Sequence, residues 1–440
     1  MFSKKDLGKL LVPLIIEQIL AVLVGMVDVV MVAAVGEAAV SGVSLVDSIS
    51  MLIIQLLAAL ATGGAVVSAQ YLGKKQSENA CKAAGQLLIS TTFLSVIIAA
   101  IALIGNRHLL GMIFGSVEDS VMNNAMIYFF LCALSYPFLA VYNSCAALFR
   151  AMGNSKVSMF ASLIMNGINV IGNTICIFGL HMGVEGVGIP TLLSRAFAAL
   201  LMLYLIQNPD NIVRIRSLKE LRFEPRMVKN ILSIGIPNGL ENGMFQFGKI
   251  ALQSLVSSLG TAAIASYAVA SNLVTLQYLP GNALGLGLIT IVGQCVGAGE
   301  FGEAKKYTRY LLVLNYAILL FVCTAMIFGS RGLVGIYQLS PEAASISRSM
   351  LLYHSCIMIV WPLAFCQPYA LRAGSDAKFT MLVSVASMWA FRIGFAYVFV
   401  RGLKTGTLGV WYAMSIDWAV RAVIFTWRFR GFEHRRLSKI

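Results

Sequence analysis

The sequence predicts an all-α polytopic membrane protein with twelve transmembrane helices in two homologous six-helix bundles. Hydrophobic residues make up 58% of the 440 residues and charged residues only 12%, against about 45–50% and 25% in a soluble globular chain. Long apolar runs recur along the chain, and a helix that crosses a bilayer needs about 20 such residues. The first half of the sequence is also similar to the second half.

Twelve apolar runs are the predicted spans. The runs are continuous, whereas the strands of a membrane β-barrel are shorter and alternate between apolar and polar residues. The first run has no small-residue cleavage site, so we interpret it as a span rather than a removed signal peptide. The spans lie at about 8–33, 42–72, 86–106, 122–146, 158–179, 187–207, 230–257, 264–296, 310–330, 347–370, 380–400 and 407–428.

The net charge of +14 is explained by membrane topology. Most of the 33 Lys and Arg residues lie in connections on the same side as the N-terminus, and cytoplasmic segments carry this excess. We therefore expect both termini to be cytoplasmic. A nucleic-acid partner is not needed to explain the basic charge.

An internal repeat divides the chain. A shift of 224 residues aligns residues 13–82 with 237–306 without a gap, and the informative identities are Pro13/Pro237, Glu17/Glu241, Gly36/Gly260, Gln70/Gln294, Gly73/Gly297 and Lys82/Lys306. A shift of 222 residues aligns Arg150–Lys156 with Arg372–Lys378. Two parallel halves predict a pseudo-two-fold axis along the membrane normal and a site between the halves. Pro13 and Pro237 would either kink the first span of each half or occupy its first turn.

The repeat gives four predicted domains. The N-lobe is residues 1–207 and the C-lobe is residues 230–430. A basic cytoplasmic linker, residues 208–229, joins them, and residues 431–440 form a basic cytoplasmic tail.

Glycine-containing and polar motifs are distributed over the two lobes. The N-lobe has Pro13…Gly25-Met-Val-Asp28…Val35-Gly36, Gly63-Gly64…Gln70…Gly73 and Leu148-Phe-Arg150-Ala-Met-Gly153, and the C-lobe has Gly235-Ile-Pro237…Glu241…Phe245 and Leu371-Arg372-Ala-Gly374. Together they resemble the bacterial branch of the multidrug and toxic compound extrusion (MATE) family. The resemblance implies an antiporter that exports bulky amphipathic, often cationic, small molecules by alternating access. It implies Na⁺ or H⁺ as the coupling ion, no cofactor, and a monomer in the bilayer of the bacterial inner membrane.

The resemblance also implies a cation site in the N-lobe. Its residues would be Asp28 on the first helix, Asn169 and Asn173 on the fifth, and Thr191 on the sixth. Part of the family has aspartate at the position of Asn173, so Asp28 is here the lone carboxylate. Asn169 and Asn173 share one helix face by spacing. The alternative is a hydrogen bond between Asp28 and an asparagine that only ties helices together.

Glu17 and Glu241 form a repeat-related pair of intramembrane acids, each four residues after a proline. A charge inside the bilayer costs at least about 2.5–3.5 kcal/mol and needs a partner. These glutamates would accept hydrogen bonds at the kink, pair across the lobe interface, or bind substrate. Met244, Phe245, Phe247 and Tyr278 are predicted to line the substrate cavity, because polarizable side chains tolerate varied ligands.

The C-lobe carries intramembrane charges that the N-lobe lacks. Lys249, Arg392 and Asp417 lie at similar predicted depth, which allows one buried network. Arg421 follows Asp417 by four residues on the same helix face and can also pair with it. The network would connect to Glu241 through Arg421. It is either a structural clamp or a substrate-binding or gating group. Asp47 lies near the outer surface.

The sequence contains no Ser-His-Asp grouping, metal-ligand spacing or phosphate loop, so we expect a transporter rather than an enzyme or an ATPase. The eight Cys residues are scattered and predict neither a disulfide framework nor a structural metal site. A lipid-linked oligosaccharide or lipid flippase of the same superfamily is the alternative function. The cationic group of the C-lobe favours it, because such substrates carry pyrophosphate.

Overall fold

The computed structural model describes residues 2–115, 118–215 and 223–432. Over these ranges the chain consists of helices joined by short connections. It divides into two compact units, Phe2–Gly239 and Leu240–Ile440. Residues 216–222 of the predicted linker and 433–440 of the predicted tail lie outside the described residues. The domain limits drawn from the sequence stay a prediction.

The first unit is built around α4, which packs against α2, α3 and α6, while α1 packs against α5. Helix α1 begins with a capping box in which the Ser3 hydroxyl accepts from the Asp6 amide and the Asp6 carboxylate accepts from the Ser3 amide. These two bonds satisfy amides that have no partner within the helix. A π-helical turn, Ile175–Gly179, extends α5. The helices are α1 (Lys4–Ala33), α2 (Glu37–Gly73), α3 (Ser77–Phe114), α4 (Asp119–Ala151), α5 (Ser155–Thr174) and α6 (Glu185–Ile206).

Helix α7 (Pro225–Ser257) runs through the limit between the two units. Its first part lies backbone to backbone on α2. A Cβ atom added at Gly63 would stand 2.5 Å from the Ile231 carbonyl oxygen, and one added at Gly235 would stand 3.0 Å from the Leu60 Cα. Only glycine allows this approach, and it explains why the beginning of α7 belongs to the first unit.

The second unit repeats the helix order of the first. Helix α8 packs against α9, α10 and α11, and α14 packs against the segments around α12 and α13. Gly260 begins α8 at φ +99°, as Gly36 begins α2 at φ +135°, a repeat-related pair with backbone angles that favour glycine. The helices are α8 (Thr261–Gly297), α9 (Phe301–Gly335), α10 (Pro341–Ile357), α11 (Gln367–Ala373), α12 (Ala377–Ser387), α13 (Gly394–Tyr397) and α14 (Leu408–Arg430).

The tenth predicted span, 347–370, is broken rather than continuous. Helix α10 and the segment Pro362–Ala373 meet at 68°. Pro362 has no amide hydrogen to donate to the preceding turn, which accounts for the break. The eleventh span is continuous over Ala377–Gly402 but contains two π-helical turns, Met388–Ile393 and Val398–Gly402.

Within the described ranges, ten helices are long and apolar enough to cross a membrane, and the bent pair makes eleven. Helix α7, which carries Glu241 and Lys249, completes the twelve-helix fold. The all-helical fold class is confirmed. The helices extend beyond the predicted spans because polar residues continue a helix outside the bilayer; α3, for example, begins at Ser77 rather than 86.

Candidate functional site

The N-lobe residues predicted to hold a cation form one chain of hydrogen bonds. The Asn173 side-chain amide donates to Asp28 Oδ1 at 3.1 Å and to Asn169 Oδ1 at 3.3 Å. The Asn169 amide donates to Thr191 Oγ1 at 3.0 Å, and the Thr191 hydroxyl donates to the Val187 carbonyl at 2.8 Å. Helices α1, α5 and α6 are thus linked through side chains that the sequence places on three separate spans.

The orientation of Asn173 follows from its neighbours. An ionised Asp28 only accepts hydrogen bonds, so the Asn173 Nδ2 must face it and Oδ1 must point away. Asn173 is fully buried, and its Oδ1 has no hydrogen-bond partner among the described residues. A buried carbonyl oxygen without a donor is costly. It is available to a positively charged ligand.

Two further charges lie close enough to Asp28 to interact with it electrostatically, namely Asp47 on α2 and Arg195 on α6. The Tyr128 hydroxyl donates to Asp47 at 3.3 Å, and Arg195 donates to the Ser135 hydroxyl at 2.7 Å. Asp47 is exposed, in line with its expected position near the surface. Arg195 was not predicted as a site residue, although a charged residue inside a predicted span is itself an indication of a functional or paired position.

Glu17 and Glu241 form repeat-related ion pairs, each within its own lobe. Arg150 at the end of α4 lies 3.2 Å from Glu17 on α1, and Arg372 in α11 lies 2.7 Å from Glu241 on α7. The two arginines are themselves partners in the repeat. Both matched acids and both matched arginines are visible in the sequence, which left hydrogen bonding at the kink, pairing across the lobe interface and substrate binding open for the acids. The arginine partner of each acid lies in the same lobe.

The two pairs differ in one hydrogen bond. The Ser158 hydroxyl donates to the second carboxylate oxygen of Glu17 at 3.0 Å. At the matching position, Thr380 instead accepts from Arg372 Nε at 3.4 Å. Glu241 Oε2 consequently has no hydrogen-bond partner among the described residues.

Pro13 lies inside α1 rather than in its first turn and removes the amide that would bond the Lys9 carbonyl. The Ser155 hydroxyl, at the start of α5, contacts the freed Lys9 carbonyl at 3.3 Å and the Leu10 carbonyl at 2.5 Å. A neighbouring helix thus compensates the proline. Pro237 also lies inside its helix, and the residue matching Ser155 is Ala377, which has no hydroxyl.

Of the pairs predicted for the C-lobe charges, Asp417 with Arg421 is present, whereas Asp417 with Lys249 or Arg392 is not. Asp417 is fully buried and forms its ion pair with Arg421, at 2.7 Å, not with Lys249 or Arg392. The Ser387 hydroxyl also donates to the Asp417 carboxylate. Arg421 reaches Asp417 because it lies one turn further along the same helix. The expected connection from Arg421 to Glu241 is not an ion pair, since Glu241 pairs with Arg372.

Aromatic side chains surround Arg421. Its guanidinium lies 4.5 Å from the Phe245 ring centre and 5.3 Å from that of Phe365. Tyr278, another predicted cavity residue, is hydrogen-bonded to Nε2 of the buried His354 at 2.8 Å. Met244 is half-buried and Phe247 is 53% exposed. His354 carried no sequence signal beyond its position in a span.

These features describe a polytopic membrane protein of two repeated helical units, with hydrogen-bonded polar groups inside its spans. The model of the MatE family matches residues 13–175 and again residues 237–398, so each half matches separately. The chain belongs to the MatE family and is a membrane transporter. The resemblance identified from the sequence motifs is confirmed.

Relatives and solved structures of similar length cover nearly the whole chain. An uncharacterized transporter of Bacillus subtilis, YisQ, is 26% identical over 95% of this chain and 92% of its own. The probable multidrug resistance protein NorM of Thermotoga maritima is 24% identical over 96% and 91%. The solved structure of a multidrug resistance MATE family transporter, in an outward-facing conformation, superimposes with a TM-score of 0.92 at 22% identity over 98% and 97%. This last likeness shows the fold.

Proposed function

We propose that the protein is a cation-coupled antiporter that exports bulky amphipathic compounds, with Na⁺ or H⁺ as the coupling ion. Relatives named as multidrug resistance proteins in several bacteria support the substrate class. The observation that carries the proposal is the hydrogen-bonded chain from Asp28 through Asn173 and Asn169 to Thr191, in which the buried Asn173 Oδ1 has no partner among the described residues.

The donor set suits a hard monovalent cation. Carboxylate, amide carbonyl and hydroxyl oxygens are the ligands that such ions prefer, and Asp28, Asn169, Asn173 and Thr191 supply all three kinds. A proton on Asp28 would neutralise the same charge. In either case the bound ion removes the cost of an isolated carboxylate inside the bilayer.

Coupling follows from this cost. When the ion leaves, Asp28 retains a charge that its asparagine neighbours only partly stabilise, so the empty site favours rebinding of an ion or approach of a cationic substrate. Net transport then exchanges one for the other by alternating access. The nearby Asp47 and Arg195 set the local charge balance.

Reconstituted protein tests the proposal. Ethidium efflux from proteoliposomes is measured with Na⁺ and H⁺ gradients imposed independently. We expect one gradient or both to drive efflux, and we expect Asp28→Asn to abolish gradient-driven efflux with normal expression. The control Asp210→Asn, which changes an exposed aspartate of the same compact unit, should leave efflux unchanged. If Asp28→Asn shows gradient-driven efflux at the wild-type rate, the coupling role of Asp28 is refuted.

A flippase for lipid-linked oligosaccharides or lipids is the second candidate. It is favoured by Lys249 and Arg392, which have no acidic partner among the described residues. The same proteoliposomes, containing a fluorescent phospholipid, would then show gradient-independent lipid translocation, measured by quenching of the outer leaflet. Translocation equal to that of protein-free liposomes excludes this function.

A further inference from the structure

Two cations lie beside one another in the C-lobe. Lys249 is on α7, and Arg392 is in the π-helical turn Met388–Ile393. The neighbouring Gly248 packs directly against Met388 and Ile393, where a Cβ atom would collide with Met388. This close approach brings Lys249 and Arg392 within range of electrostatic interaction.

Neither cation has an acidic partner within the described residues. Lys249 is exposed and forms no hydrogen bond or ion pair there. One Arg392 Nη donates to the Met414 sulfur at 3.1 Å, and the buried Arg392 Nε has no partner.

Among the described residues, the two buried carboxylates of this lobe already have arginine partners. Asp417 is paired with Arg421 and accepts from Ser387, while Glu241 is paired with Arg372. Because both carboxylates are paired with other arginines, the positive charges of Lys249 and Arg392 are not neutralised by an acidic residue among the described residues.

Such a pair is unfavourable without a ligand. Each charge inside a membrane span costs several kcal/mol unless it is paired, and two like charges within range of one another disfavour each other further. An anion would neutralise both and would give the buried Arg392 Nε an acceptor. Tyr267 and Tyr278 are also within range of electrostatic interaction with Arg392.

We propose that Lys249 and Arg392 form an anion-binding subsite that takes the carboxylate of an aromatic amphipathic substrate. This proposal rests on the exporter function and adds aromatic zwitterions and anions to its substrates, with the carboxylate at the C-lobe cations and the aromatic part towards the tyrosines. Arginine binds carboxylates through two parallel hydrogen bonds and lysine as a point charge.

A matched pair of dyes tests the subsite. Rhodamine B has a free carboxylate, and its ethyl ester has the same aromatic system with the carboxylate masked. Binding of each dye to the purified full-length protein in neutral detergent is measured by fluorescence polarisation. The variants are Lys249→Met, Arg392→Met and, as a control, Lys378→Met, which removes an exposed lysine from the same lobe.

We expect the wild type to bind the acid more tightly than the ester. Lys249→Met and Arg392→Met should each weaken binding of the acid about tenfold or more, the size of one charge-assisted hydrogen bond, and leave the ester within about twofold. Equal binding of the two dyes by the wild type, no binding of rhodamine B, or equal losses for both dyes in Lys249→Met would each overturn the proposal.

Two further measurements separate the alternatives. Competition by phosphatidylglycerol but not phosphatidylcholine, abolished in Lys249→Met, would assign the cations to a lipid headgroup and overturn the substrate assignment. Acid-selective binding without gradient-driven efflux from proteoliposomes would keep the subsite and reject the exporter function, so failure of one proposal is distinguishable from failure of the other.

Discussion

The ion pair between Arg372 and Glu241 should stabilise the C-lobe more than its repeat-related counterpart stabilises the N-lobe. The perturbation is Arg372→Met, which keeps most of the side-chain volume and removes the charge. Glu241 would then retain a buried negative charge, with one carboxylate oxygen already without a partner. Removing one member of a buried ion pair costs about 3–5 kcal/mol, and we expect the free energy of unfolding to fall by that amount.

The N-lobe provides the matched comparison, Arg150→Met. The side chains of Arg150 and Glu17 are 17% and 10% exposed, against 8% and 7% for Arg372 and Glu241, so water can partly replace the arginine. The Ser158 hydroxyl also remains bonded to Glu17. We therefore expect a smaller loss, about 1–3 kcal/mol, the cost of leaving a buried polar group incompletely bonded.

The assay is unfolding of the purified protein by dodecyl sulfate in mixed micelles, followed by tryptophan fluorescence. The double variant Glu241→Gln with Arg372→Met should be more stable than Arg372→Met alone, because no uncompensated charge remains. Two results would refute this account of the pair. One is a loss in Arg372→Met no larger than in Arg150→Met, and the other is a double variant whose loss equals the sum of the two single losses.

Three further outcomes are expected. Asn173→Asp adds a second carboxylate to the site and should increase the sodium response of ethidium efflux from proteoliposomes; an unchanged response would place Asn173 outside the ion site. Ser155→Ala leaves the carbonyl freed by the proline of α1 unsatisfied and should lower the free energy of unfolding by about 1–3 kcal/mol in the same dodecyl sulfate titration, and no change would show that water replaces the hydroxyl. Asp417→Asn should lower the free energy of unfolding by about 3–5 kcal/mol in that titration. Adding Arg421→Met should recover part of this loss, whereas adding Lys249→Met should not. Recovery with Lys249→Met but not with Arg421→Met would show that Lys249 is the partner of Asp417.

The fold was predictable because membrane insertion is governed by composition. A span must be apolar over about 20 residues, so its existence can be recognised from sequence alone, and the internal repeat supplied the division into halves. The break before Pro362 was missed for the same reason: the segment 347–370 is apolar throughout, and apolarity does not report whether a helix is straight. The π-helical turns were missed because they change backbone geometry without changing composition.

The partners of the charged residues were harder to predict. Glu17 and Arg150 are far apart in sequence, and their pairing depends on how the end of α4 lies against α1. Depth estimated from span length suggested Lys249 and Arg392 as partners of Asp417, but depth says nothing about direction around a helix. Arg421 pairs with Asp417 because residues at i and i+4 lie at nearly the same depth and on the same side of the helix. The repeat did contain the missing information, since a glutamate and an arginine recur together in both lobes.

The repeat also separates charges that maintain the fold from charges that belong to one lobe. The pairs Glu17–Arg150 and Glu241–Arg372 occupy matching positions, as expected for contacts that any copy of the bundle needs. Asp28 matches Leu252, and Lys249 matches Gly25, so neither charge has a counterpart in the other lobe. The other lobe folds without a charge at these positions, so the charge is not needed for the fold. The free-energy cost of placing it inside the bilayer is then offset by binding an ion of opposite sign. On this argument the charge of Asp28 in the N-lobe suits a cation, and the charges of Lys249 and Arg392 in the C-lobe suit an anionic group.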